Sequence, residues 1–277
     1  QLLTLVSESV PESELARLSE IGVDLNLQGR LAIDSVKLDE ALSGQLEEVD
    51  PGAIRNLFGL NGTSSTAGVR FLGGSVRTQP SQTPYQVEIT QAAQQASITA
   101  TNAAAANIVI DGTNNSFEIT VDGEVSEPLT LAEGSYTTQE LASQLQSVIN
   151  ASPTLGVREV EVSVGTDNRL SINTESYGTA ASVRSFTGSA ATALGFSGTE
   201  AGSGQDVQGK FIVNGVEEIA TGRGRILSGN ADNENTADLR LEVTLSAAQV
   251  AADPVSELKV TQGITGRLND YIRNVLD

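Results

Sequence analysis

Apolar residues in this chain recur three and four positions apart near both ends and every second position in between, so no single regular lattice can bury them all. Val36, Leu38, Ala41 and Leu42, then Ile54, Leu57 and Phe58, then Ile264, Leu268, Tyr271, Ile272, Val275 and Leu276 follow the helical spacing. Each set forms one stripe that needs a partner helix. Tyr85, Val87 and Ile89 alternate with polar residues, as do Phe117, Ile119 and Val121, then Val160, Val162 and Val164, then Leu239, Leu241, Val243 and Leu245. Such period-two patterns belong to half-buried strands. The expected fold class is therefore α+β: a helical leg formed by both chain ends, with β-rich head domains inserted between them.

Local signals place the boundaries. Pro11 and the pair Asp50-Pro51 are helix starts, and Asp34 is an N-cap. Val23 to Leu27 and Leu31 to Ile33 read as two small strands around Gln28-Gly29. Residues 59–75, rich in Gly, Ser and Thr, read as a linker or domain entrance. Thr137 and Glu140 have capping-box spacing ahead of Leu141, Leu145, Val148 and Ile149, and Pro153 ends that helix. Asp122-Gly123 and Asn214-Gly215 are hairpin turns. The expected division is residues 1–60 as a leg segment with a small hairpin, 61–106 plus 187–262 as a β-rich head, 107–186 as an inserted α+β unit, and 263–277 as the closing leg helix.

Composition narrows the function. The 277 residues exceed what one core usually holds. Sixteen basic against 35 acidic side chains leave a net charge of -19, which repels nucleic acid and anionic lipid. No apolar run is long enough to cross a membrane, so neither nucleic acid nor membrane insertion is expected. There is no Cys, hence no disulfide, thiolate metal site or thiol nucleophile, and no His to serve as general base. Neither an enzyme, a cofactor nor a metal is expected. The lack of Met and the Gln1 start suggest an excised or processed chain, and no signal peptide is visible.

The candidate sites are weak. Gly222-Arg223-Gly224-Arg225 lacks the Lys-Ser/Thr ending of a phosphate loop and reads as a turn. The acidic runs Asp111 to Asn115 and Asp232 to Asn235 lack the calcium-loop register and read as solvated loops. Asn61, Asn114 and Asn150 begin glycosylation triplets that chance explains. Glu47-Glu48 and Glu217-Glu218 read as surface charges. The best interaction surface is the stripe from Ile264 to Leu276. It is expected to pack against the Leu38/Leu42 and Ile54/Leu57 helices, with the same bundle meeting neighbouring subunits.

Three segments, together with the closing stretch, resemble the flagellar filament-cap family, hook-associated protein type 2. Leu18 to Phe58 carries Ile21-Gly22, Gly29, Leu31, Asp34, Lys37-Leu38, Ala41-Leu42 and Leu57-Phe58 in that family's order. Phe117 to Asn150 followed by Leu170 to Val183 is similar to the repeat shared by flagellins and cap proteins, and Gly204 to Gly229 followed by Leu239 to Val243 is similar to a glycine-spaced family stretch. The end from Gly263 to Asp277 is similar to the segment before the family's last coiled coil. In simpler members the Leu57-Phe58 segment runs almost directly into the closing helix. Here residues 59–262 intervene, which implies an additional β head.

The resemblance implies a structural cap at the distal end of the bacterial flagellar filament. It implies a ring-like homo-oligomer that helps flagellin fold and insert, lying outside the cell and exported without a cleaved signal. Leu38, Leu42, Leu57, Phe58, Leu268, Ile272 and Val275 would serve leg packing and subunit contact. The rival reading is an extracellular adhesin binding host mucin or glycan, with Tyr85, Tyr136 and Tyr177 as candidates if they cluster.

Overall fold

The computed structural model describes residues 15, 17–26, 28, 30–46 and 51–276. The Pro11 and Asp50 signals, the Gly29 turn and the Glu47-Glu48 pair lie outside them. The protein is β-rich, with several sheets and three separate clusters of buried apolar side chains.

The largest sheet is wholly antiparallel. Its strands run in the order Leu60–Ser64, Val255–Gln262, Tyr85–Gln91, Gln208–Val213, Val216–Arg223, Ile226–Gly229, Arg240–Val243 and Val69–Gly73. Alternation decides its faces: Tyr85, Val87, Ile89, Phe211, Leu227, Leu241, Val243, Leu258 and Val260 all point into one buried cluster. Residues 59–75 are not a linker. They supply the two edge strands, Leu60–Ser64 and Val69–Gly73, and the turn between them. Their glycines answer to packing. A Cβ on Gly62 would stand 2.5 Å from the Phe71 ring, so the sheet curls until its edges touch where no side chain intervenes. At Asn214-Gly215 both residues take positive φ, 51° and 82°, which closes the hairpin between paired Val213 and Val216.

A second body is inserted after Gln91. Its 27 buried apolar residues run from Ala96 to Phe196. One sheet joins Val160–Val164, Leu170–Tyr177 and Gln95–Thr99; another is built around Ser116–Val121 and Ser182–Thr187. The helix Thr138–Asn150 lies against the first, starting from a complete Thr137/Glu140 capping box and burying Leu141, Leu145 and Ile149. Phe117, Phe186 and Phe196 stack in succession with centroids 5.0 and 4.4 Å apart. Half of the six phenylalanines thus sit in one pile, and Val, Ile, Leu and Ala fill the rest. The chain enters and leaves this body side by side, at the isolated antiparallel bridge between Gln94 and Gln205.

The third cluster lies at the chain ends. The strands Val23–Leu25 and Leu31–Ile33 pair antiparallel, as their alternation predicts. Asp34 caps the helix Ser35–Leu42 by accepting from the amides of Val36 and Lys37 at 3.1 and 3.2 Å. Gly22, at φ 82°, faces the Asp34 carbonyl at a range where a Cβ would stand 2.9 Å away. The helix Pro51–Phe58 touches both Ser35–Leu42 and the closing helix Ile264–Leu276. Leu15, Leu18, Ile21, Ala41, Ala53, Ile54, Leu57 and Ile264 form the buried cluster.

Candidate interaction site

The described residues that pack this third cluster also define its outer surface. Leu57 is fully buried and Leu38 packs against the cluster at its margin. Leu268 is half-buried one turn beyond Ile264. The apolar seam of the closing helix then emerges: Ile272 is 45% exposed and Val275 64%. Phe58 is 37% exposed and Leu42 58%. Of the seven residues expected to make the leg, the fold thus gathers Leu38 and Leu57 around Ile264, and leaves Leu42, Phe58, Ile272 and Val275 facing outward.

Where this cluster meets the large sheet, the chain crosses twice at one point. The Gly263 amide donates to the Gly59 carbonyl at 2.7 Å, and a Cβ on Gly263 would lie 2.5 Å from that oxygen. Beside the crossing opens a cleft of about 870 Å³. Phe58 and Val76 give it apolar surface; Gln79, Gln262, Asn269 and Arg273 give it amide and guanidinium groups. Val76 is 94% exposed, on a loop with no apolar periodicity to announce it.

That loop is held by hydrogen bonds. Asp238 accepts from Ser75 Oγ at 2.7 Å and from Arg77 at 2.8 Å; Thr78 Oγ1 donates to the Ala237 carbonyl at 2.6 Å and the Gln79 amide to the Asn235 carbonyl at 2.8 Å. The Ser75 hydroxyl and then Arg77 hold the Asp238 carboxyl below its ordinary range. The supporting loop in turn hangs on Glu218. Its carboxylate accepts from the Asn235 amide and side chain at 3.0 and 2.7 Å and from the Thr236 amide and hydroxyl at 2.8 and 2.5 Å. Glu218 is therefore buried rather than a surface charge. Its strand turns it inward between exposed Glu217 and Ile219, and four donors replace its water. Burial pushes its pKa up, but these bonds from Thr236 and Asn235 outweigh burial and lower it. The run Asp232 to Asn235 belongs to this polar network.

The remaining sequence candidates are occupied from within. Asp111 accepts from the Thr113 amide and hydroxyl at 2.8 and 2.6 Å, which holds its own loop closed. Among the described residues no three carboxylates converge on one point. The Gly224 amide donates to Asp206 at 2.6 Å, so the Gly222 to Arg225 turn meets a carboxylate of its own chain. The Asn150 amide donates to the Val160 carbonyl and its oxygen accepts from the Val160 amide, both at 2.9 Å. Asn114 likewise donates to the Val109 carbonyl at 2.9 Å. The tyrosines do not cluster: Tyr85 lies in the large-sheet core, Tyr136 packs on the inserted body's core, and Tyr177 lies under Arg225 at 3.5 Å. Among the described residues no helix is long and apolar enough to cross a membrane.

Neither a family model nor a curated protein matches the chain. Among solved structures it is similar to the D2-D3 domains of the flagellar cap protein FliD from Escherichia coli, at 17% identity and TM-score 0.45 over 74% of this chain and 100% of that one. FliD from Bdellovibrio bacteriovorus is similar at 14% identity and TM-score 0.42 over 71% and 99%. FliD (HAP2) from Pseudomonas aeruginosa PAO1 is similar at 11% identity and TM-score 0.37 over 79% and 91%.

Proposed function

We propose that this chain is a structural subunit of the cap at the distal end of a bacterial flagellar filament. In this reading the subunits associate into a ring, and the cap helps exported flagellin fold and insert. Residues 1–60 and 263–277 form the leg, the large sheet forms one head, and the inserted body, taken as residues 95–204, forms the other. The protein works outside the cell and reaches the filament tip without a cleaved signal.

The observation that carries the reading is where the motif residues fall. Ile21, Ala41 and Leu57 belong to the third cluster with Ile264 of the closing helix, and Leu38 packs against it; all but Ile264 are among those that give the sequence its resemblance to the cap family. Leu42, Phe58, Ile272 and Val275 remain outside it as surface that a neighbouring subunit can cover. The cleft beside Phe58 and Arg273 adds a concave surface of mixed polarity suited to protein contact. The chain's work on this reading is positioning, which needs surfaces and no bond chemistry.

Deleting the gene in its own bacterium tests the proposal. The expected result is loss of swimming, with unpolymerised flagellin leaking into the medium and both restored by the intact gene. Full-length filaments and normal swimming in the deletion strain would overturn it.

A further inference from the structure

The two β bodies are joined by a pair of crossover segments and meet again at a second place. Across the crossover, Gln94 and Gln205 exchange backbone hydrogen bonds of 2.8 and 3.1 Å. The crossover is thus a single isolated antiparallel bridge, whose Gln94 carbonyl also accepts from the Gly178 amide at 3.0 Å. The second contact lies beside it. There the Tyr177 to Thr179 turn of the inserted body rests on the Gly222 to Arg225 turn of the large sheet.

Three features fix this contact. Asp206 accepts from the Thr179 amide at 3.1 Å and hydroxyl at 2.7 Å on one side, and from the Gly224 amide at 2.6 Å on the other. The glycines nest: a Cβ on Gly178 would lie 2.7 Å from Gly224 Cα, and both take positive φ, 96° and 57°. The Arg225 guanidinium lies over the Tyr177 ring at 3.5 Å, a cation–π contact between the bodies. Asp206 itself is anchored to the large sheet, since Gln91 Nε2 donates to its carbonyl at 2.9 Å and the next amide, Val207, donates to the Gly224 carbonyl at 2.9 Å.

We propose that Asp206, with the nested Gly178 and Gly224 turns, is a clasp that locks the two β bodies at one angle across the joint at Gln94 and Gln205. This assigns a role to the glycine-arginine stretch. Its amide and guanidinium grip the neighbouring body instead of a phosphate. The clasp is independent of what the protein binds, so it stands or falls separately from the cap reading.

Because the chain has no native Cys, two engineered thiols carry spin labels to defined positions. Val76→Cys on the large-sheet body and Val157→Cys on the inserted body replace residues that are each 94% exposed. Their distance distribution is measured by double electron–electron resonance. The expected result is one narrow peak in the doubly labelled protein and at least a twofold broader one in Asp206→Ala and in Gly178→Ala. Thr179→Val removes one hydroxyl donor and touches no core; it keeps the test valid if the glycine variant does not fold, and it too should broaden the peak. A broad peak in the unaltered clasp, or a native-width peak in Asp206→Ala and Thr179→Val, overturns the proposal.

Discussion

Gln94 and Gln205 stand opposite each other as an isolated backbone bridge, and the whole of residues 95–204 lies between them. The inserted body buries its own cluster, from Ala96 to Phe196, and shares none of those residues with the large-sheet core. An excised fragment of residues 95–204 is therefore expected to fold alone. Thermal unfolding followed by circular dichroism should show one cooperative transition. A fragment that melts gradually would show that the core depends on the rest of the chain.

Gly62→Ala should destabilise the large sheet. The added Cβ would press into the Phe71 ring at 2.5 Å, where one edge strand crosses the other. Overpacking of this kind costs about 1–3 kcal/mol. Urea unfolding should show a lower midpoint, and Phe71→Leu in the same chain should recover part of it. An unchanged midpoint for Gly62→Ala would mean the edges are free to part.

Glu200 should make the inserted body acid-sensitive. Burial raises its pKa, but hydrogen bonds from Thr101 and Ser197 overcome burial and bring it to about 2. A carboxyl whose folded pKa is depressed contributes stability above its unfolded value, about 4.3, and loses it as pH falls through the folded value. Glu200→Gln is expected to lower the melting temperature at pH 7, with the gap to the native chain closing between about pH 4.3 and pH 2. A gap of constant size across that range would show that the carboxylate charge contributes nothing.

Ile272→Glu combined with Val275→Glu should separate folding from assembly. Both side chains stand outside the buried cluster, so the melting temperature should move little. If the outer seam meets a neighbouring subunit, the charged pair abolishes swimming and self-association of the full-length protein. Normal swimming with the double variant would remove the seam from the interface.

Much of this architecture was legible because period and caps agree. The alternation of Tyr85, Val87 and Ile89, the Thr137/Glu140 box, the Asp34 cap and the Asn214-Gly215 turn each state a local geometry that the tertiary fold keeps. The edge strands of residues 60–73 were not legible, because Gly62 and Gly68 serve close packing and a turn, which composition alone does not separate from a linker. Glu218 looked like one of two surface charges because nothing local announces the four donors, 17 and 18 positions away, that bury it. The cleft brings Val76 and Gln79 of one loop to Arg273 of the closing helix, almost 200 positions on, and these residues carry no shared pattern. Strand partners, likewise, depend on contacts far apart in sequence.

The chain enters the large sheet on its edge strand, Leu60–Ser64, and leaves on that strand's immediate neighbour, Val255–Gln262, with Leu60 paired to Gln262 at the exit. Tension drawn between Leu60 and Gln262, once the helices that join them have parted, falls on one end of one antiparallel ladder, and the bonds there open singly, like a zipper. A load that instead drags the helices together away from the sheet pulls both strands the same way, and neither ladder partner slides past the other. This ladder is thus weakest where its two strands are peeled apart at that end and strongest where they are drawn the same way, because of where the polypeptide goes in and comes out.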